Sequence, residues 1–286
     1  YTGGPHLAGG DITFAGTGAA NGGVWLGSPG VYYAGGNLNI VGTQLSNNFA
    51  IADVNAPSKS TSAGHGVSLI SGTTTSNITT GPNTGNFTGL DIRGSATVWG
   101  RTNGGTNGYG VWFGQSTPDF KAGSWNVTAS NTGSTTLAAF FANTGTLRST
   151  TGGVTINASS TSTGAISAAV VDIRIPIVSA GGVSITGTGT NQGTVVFGAG
   201  TITNAAGNIS ITGNNASGGG NTGINLSGAI TQNANGGNIT FTSNNKISQT
   251  GAITVAANTS GTASNVTYDT TTGTKDSTIT AGALSI

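Results

Sequence analysis

A phrase of two glycines, any residue, then apolar, polar, apolar recurs along this chain, and no other feature restricts its fold so strongly. It reads Gly9-Gly10-Asp11-Ile12-Thr13-Phe14 and Gly35-Gly36-Asn37-Leu38-Asn39-Ile40. It returns as Gly152-Gly153-Val154-Thr155-Ile156, Gly181-Gly182-Val183-Ser184-Ile185, Gly207-Asn208-Ile209-Ser210-Ile211 and Gly236-Gly237-Asn238-Ile239-Thr240-Phe241. A looser copy is Gly123-Ser124-Trp125-Asn126-Val127. The apolar residues that close the phrase at 127, 156, 185, 211 and 241 lie 29, 29, 26 and 30 apart, a mean of 28.5. Self-similarity at a period of this size is the signature of stacked repeats.

Each period has a finer grammar. Before the closing residue sits a second apolar stretch, as in Gly23-Val24-Trp25-Leu26-Gly27, Gly110-Val111-Trp112-Phe113-Gly114 and Gly223-Ile224-Asn225-Leu226. Between the two lies a third patch: Val31-Tyr32-Tyr33, Phe120, Leu147, Thr201-Ile202-Thr203 or Ala229-Ile230-Thr231. Three short alternating strands separated by Gly/Asn/Ser corners follow from this pattern. Such a unit cannot bury its apolar faces alone, but a stack of units pairs each strand in parallel with its counterpart one coil on. The expected fold is therefore all-β, a right-handed parallel β-helix, with handedness taken from the rule for parallel crossovers. Val183, Ile185, Ile209, Ile211, Ile239 and Phe241 point inward, and the Ser and Thr between them face water. Glycine corners permit positive φ. Asp11, Asn37, Asn208 and Asn238 share one register beside a corner, where short polar side chains bond turn backbone. Division of 286 residues by the period predicts about ten three-strand coils, a rod of roughly 50 Å. The whole of 1–286 reads as a single solenoid domain. Its repeats are regular over 123–286, while 1–122 holds aromatic-rich coils and loop insertions at 47–62 and 73–86.

Composition removes the competing classes. Glycine (52), threonine (49), serine (29) and asparagine (29) make up more than half of the chain, only 5% is charged, and Glu, Cys and Met are absent. Strong helix formers are scarce and β-branched residues abundant, so an α-rich fold is excluded. A disulfide scaffold has no cysteines, and His6 and His65 are too few for a zinc site. Eight scattered basic residues form no nucleic-acid-binding face. No apolar run approaches the ~20 residues that span a bilayer. A hydrophobic share of 35% and a net charge of +1 do not fit an intrinsically disordered chain.

Few residues suggest chemistry. Trp25 and Trp112 occupy the same place in the sub-motif Gly-Val-Trp-apolar-Gly, and strand alternation turns both outward. With Tyr32 and Tyr33 they are the candidates for surface contact, against the alternative that these rings fill a wide core. Asp91-Ile92-Arg93 and Asp172-Ile173-Arg174 repeat a tripeptide whose Asp and Arg share the outer face, as a partner contact or as a solvated ion pair worth little. The seven Asp (11, 53, 91, 119, 172, 269, 276) are scattered, and only an arrangement of Asp53, His65 and Ser68 across a coil would resemble a catalytic group. No catalytic residue, metal site or cofactor is expected, and the chain reads as a non-enzyme. Thr-x-Thr pairs (Thr186/Thr188/Thr190, Thr201/Thr203, Thr240/Thr242, Thr278/Thr280) recur without a shared register.

The phrases over 181–189, 207–213 and 236–242 resemble the stalk repeats of filamentous-haemagglutinin-like exoproteins, with the likeness clear over about 123–286. Those are large bacterial adhesins built as right-handed β-helices. The resemblance implies attachment to surfaces or cell–cell cohesion outside a bacterial cell, and it carries no catalytic residues. The function expected is a non-enzymatic extracellular structural and adhesive protein, a stalk segment or filament subunit at the cell surface. The alternative is a carbohydrate- or ice-binding module using an outer solenoid face. Repeat grammar at both ends predicts self-association through uncapped solenoid ends, or further repeats of a longer chain. Glycans and host or abiotic surfaces are the other partners expected, with no nucleic acid and no membrane span.

Overall fold

The computed structural model describes residues 6–18, 23–26, 32–44, 67–69, 75–78, 85–88, 90–102, 109–113, 120–132, 137–141, 145–161, 170–190, 195–197, 200–215, 222–256, 264–270, 279–280 and 284–285. Its ordered elements are all β-strands, and they stack as a parallel β-solenoid with three sides. The first side runs His6–Ala8, Tyr32–Ala34, Leu90–Ile92, Phe120–Ala122, Leu147–Ser149 and Ile177–Ser179. It continues through the starts of Ile202–Asn215 and Ile230–Ser243 to Ile253–Val255 and Leu284–Ser285. The second side carries the recurrent phrase: Ile12–Gly18, Leu38–Gln44, Ser95–Thr102, Ser124–Asn131, Val154–Ser160, Val183–Gly189, the ends of the two long strands, and Val266–Asp269. The third side is a sheet of nine strands from Val24–Leu26 to Ile279–Thr280.

The coil count departs from simple division. The third side has nine strands among the described residues, and Leu284–Ser285 opens a further turn on the first side. One coil is oversized: the amide of Ser95 reaches Asn37 Oδ1 across 58 residues of chain, about two periods. An average period taken from the regular half therefore overcounts the coils. Of the inserted stretches, 47–62 lies outside the described residues. Within 73–86 and just beyond, Thr75–Ile78 and Gly85–Thr88 pair as an antiparallel hairpin that forms its own small sheet.

Inward positions form columns. On the second side Phe14, Ile40, Val98, Val127, Ile156, Ile185, Ile211 and Phe241 follow one another in register, and all are buried. Every inward residue expected from the alternation, Val183 to Phe241, is buried. Where the coils are aromatic-rich, the three sides meet at one ring. Phe113 stacks on Phe141 with centroids 4.6 Å apart, and meets Phe120 and Trp125 edge-on at 5.2 and 5.6 Å. The Trp125 indole is fully buried and donates to the Arg148 carbonyl at 3.0 Å, which meets the need of a buried indole N–H for an acceptor.

The corners use two devices. At the register of Asp11 and Asn37 the side-chain oxygen accepts from a backbone amide one coil on. Asn37 N donates to Asp11 Oδ1 at 2.7 Å, Asn238 N to Asn208 Oδ1 at 2.9 Å and Asn265 N to Asn238 Oδ1 at 3.1 Å. Glycine supplies the other. Among the described residues positive φ occurs only at Gly145, Gly182 and Gly207, so close stacking is the commoner reason for glycine. A Cβ on Gly228 would fall on the carbonyl oxygen of Gly200 in the coil before.

A buried polar seam runs beneath the corner between the first and second sides. It comprises Ser149, Ser179, Asn204 and Gln232, all buried at one position of the first side. Ser149 Oγ donates to the Gly152 carbonyl at 2.8 Å, and Ser179 Oγ to that of Gly182 at 2.7 Å. Asn204 Oδ1 accepts from the Gly182 amide at 3.0 Å, while its Nδ2 donates to the Gly207 carbonyl at 3.0 Å and to Gln232 Oε1 at 3.1 Å. Each side chain thus bonds turn backbone, and at the buried Gly182 it meets groups that have no water to bond.

Two outcomes follow. Ile211→Ala, in mid-column, is expected to cost about 2–5 kcal/mol in urea unfolding, whereas Thr212→Ala beside it stays within about 0.5 kcal/mol. Asn204→Ala leaves the Gly182 amide without its acceptor and is expected to cost about 1–3 kcal/mol. Hydrogen exchange at Gly182 should accelerate ahead of that at Ile211.

Candidate functional site

The outer middle position of the third side is the column that gathers unlike side chains. Register places Trp25, Ser68, Trp112, Phe140, Asp172, Val196 and Asn225 in line. Local alternation explains why Trp112 and Phe140 face out. In Val111–Phe113 and Ala139–Phe141 the flanking residues are buried, while Trp112 and Phe140 are half-buried. The outward placement expected for Trp112 is therefore what forms. Trp25 holds the equivalent backbone position, opposite Ser68, but its side chain lies outside the described residues.

Tyr32 and Tyr33 are corrections. Both are fully buried, so neither ring is available for surface contact. Tyr32 turns inward and meets the Phe14 ring edge-on at 6.1 Å. Tyr33 lies at the outward position of its strand, yet is covered, with the Arg93 guanidinium 5.9 Å from its ring centre. Strand alternation fixes direction only; it does not say what lies over an outward ring.

The two Asp-Ile-Arg tripeptides separate. Ile92 and Ile173 are buried as expected. Asp91 pairs with Lys121 of the next coil at 3.2 Å, because Lys121 stands opposite it in the ladder. Asp172 pairs within its own strand: Arg174 Nη2 and Nε reach its Oδ2 at 2.8 and 2.9 Å. The Asp172 side chain is only 8% exposed against 44% for Arg174, so this is not the fully solvated pair of the simpler reading.

Around Asp172 the groups converge. The Arg174 guanidinium stands 5.1 Å above the Phe140 ring, within cation–π range. Tyr109 packs against the same ring with centroids 5.1 Å apart. Burial pushes the Tyr109 phenol above its ordinary 10.0, the Arg174 guanidinium opposes this, and the Asp172 carboxylate adds to the rise. Tyr109 thus senses both members of the ion pair. Trp112, Phe140, Tyr109, Asp172 and Arg174 form one patch of three rings and a neutralised charge pair. Phe140 and Tyr109 were not evident from the sequence. The signal lay in stacking Ala139-Phe140-Phe141 on Val111-Trp112-Phe113, 28 residues earlier, since a shared column needs only a near-period offset.

No group of three or more metal-ligating side chains occurs among the described residues. Asp53, His65, Asp119 and Asp276 lie outside the described residues, as does the side chain of Ser68. The Thr-x-Thr pairs are more ordered than their spacing suggests. Thr186, Thr212 and Thr242 share one outer column, and Ser184, Ser210 and Thr240 the next, while Thr203, Thr231 and Thr254 line up on the first side. Thr278 lies outside the described residues. No protein-family model, curated protein or solved structure matches the chain.

The tyrosines give a pH test. Burial also raises the Tyr268 phenol. Above the ordinary value of 10.0 the unfolded chain sheds phenol protons that the folded chain keeps, so stability present below that pH is lost as pH rises through the raised values. Absorbance titration is expected to show a late phenolate component that shrinks in Tyr109→Phe and again in Tyr268→Phe.

Proposed function

We propose that this chain is a non-enzymatic structural and adhesive protein of a bacterial cell surface, a stalk segment or filament subunit of the filamentous-haemagglutinin-like kind. The observation that carries this reading is the uninterrupted stacking of three parallel ladders around filled columns. Each coil is tied to the next by backbone bonds and apolar contact, so a tug on one coil loads every rung in series. Such an object suits holding a contact away from a cell better than closing around a small substrate.

The surface suits the same role. Outer columns are built mainly of Thr, Ser and Asn, and only 5% of the chain is charged, so rods or surfaces brought alongside meet little repulsion. The repeat phrases over 181–189, 207–213 and 236–242 support the kinship with exoprotein stalks. Attachment to glycans, host cells or abiotic material, and cohesion within a biofilm, are the activities this reading assigns.

Display of the chain on a non-adherent bacterium tests the proposal. Displaying cells are expected to settle on glass, or on one another, several-fold more than cells displaying the same chain with Ile211→Asp, which breaks the inner column. Equal settling by both would sink the adhesive reading. So would turnover of a polysaccharide by the purified chain.

A further inference from the structure

The third side carries a patch where rings and an ion pair meet at the surface; the first side also gathers charges, at Asp91, Lys121 and Arg148, but its ring, Tyr33, is buried. Three half-buried rings, Tyr109, Trp112 and Phe140, stand beside a carboxylate and a guanidinium in a chain where 15 of 286 residues are charged. We propose that Trp112, Phe140 and Tyr109, with the Asp172–Arg174 pair, form a binding platform for a neutral pyranose glycan. This deepens the adhesive reading above and rests on it, by naming the ligand class that the solenoid wall holds.

The chemistry selects that class. A pyranose ring offers an apolar C–H face and an edge of hydroxyls, so it needs an aromatic surface with donors and acceptors at its border. Arg, Trp and Tyr are also the side chains that most often dominate contact energies. Arg174 retains an exposed guanidinium edge while its Nε and Nη2 hold Asp172. The carboxylate is pinned on one oxygen only. Asp172 Oδ1 is buried and accepts no hydrogen bond among the described residues, an acceptor that a sugar hydroxyl satisfies after a small side-chain movement. The two charges cancel, so the patch has no net field to draw an anionic or cationic polymer. That favours a neutral glycan over a uronate or a polyamine.

Spacing agrees as well. Trp112, Phe140 and Asp172 occupy successive rungs of one column, so the platform spans roughly 10 Å over two steps of the ladder, the length of two linked sugar rings. Backbone pairing fixes that spacing, and the cation–π contact of Arg174 on Phe140 restrains the guanidinium before any ligand arrives. A preorganised surface of this sort loses little entropy on binding.

The test uses the purified chain on an array of neutral and acidic glycans, followed by titration with the best-retained oligosaccharide. Wild-type protein is expected to be retained by neutral glycans, with retention insensitive to added salt. Trp112→Ala, Phe140→Ala and Arg174→Ala should each weaken binding about tenfold or more, and Thr212→Val on the second side should leave it unchanged. Arg174→Ala strands the mostly buried Asp172 carboxylate and is expected to lower the melting temperature, so the paired change Asp172→Asn with Arg174→Gln, which removes both charges together, is the variant that separates lost contact from lost fold. Retention by acidic glycans alone, binding by the three variants at wild-type strength, or no retention of the wild type would each overturn the platform. Displaying cells that adhere equally with Arg174→Ala also count against the platform, while the adhesive role stands. Glycan retention by a chain that gives its host no adhesion removes the adhesive role and leaves the platform in place.

Discussion

Backbone pairing between successive coils is the interaction on which everything else in this molecule depends. A strand of three residues has no stability of its own, yet here each finds a parallel neighbour in an adjoining coil, and those inside the stack find one on either side. The amides of Ile177, Ile202 and Ile230 each bond a carbonyl one coil on, at 2.8, 2.9 and 2.9 Å. With main-chain polar groups met in this way, the side chains need only fill the interior. The sequence can then be poor in charge and rich in small residues without losing its fold.

The same pairing makes the corners the demanding places. A turn breaks the ladder locally and directs peptide groups both outward and into the core. Outside, Asn37, Asn208 and Asn238 reach a backbone amide of a neighbouring coil. Inside, the buried side chains of Ser149, Ser179, Asn204 and Gln232 bond turn peptide groups, those of the buried Gly182 among them. The inner seam passes from alanine at Ala122 through serine to asparagine and glutamine. The longer side chains bond both the corner and one another, linking coils that the shorter ones only fill. Such a network holds register along the rod as well as adding stability.

Stacking also converts sequence distance into proximity, and the proposed roles rest on that. Residues 109, 112, 140, 172 and 174 belong to three coils, yet they meet because one outer column runs through Trp112, Phe140 and Asp172, and Tyr109 and Arg174 pack on the Phe140 ring from either end of their strands. A surface made in this way is stiff, since its spacing is that of the ladder. It can offer rings and a charge pair at fixed intervals, as the proposed platform requires.

The recurrent phrase by itself determined the solenoid, its three-sided coil and its inward residues, because a period-two pattern repeated every 28.5 positions has one economical way to bury its apolar half. It also marked the outer Asn corners and the outward Trp112. Only the tertiary structure decided the rest. The oversized coil between Leu38 and Ala96 changed the count, because an insertion leaves the flanking phrases intact. Tyr33 was hidden although its strand position faces outward, because cover comes from other parts of the chain. Polar residues such as Asn204 and Gln232 went inside, because a corner's inward peptide groups matter more there than side-chain polarity. And Phe140, Tyr109 and Asp172 became one patch, because a column is defined by which coils lie side by side, something that no single period contains.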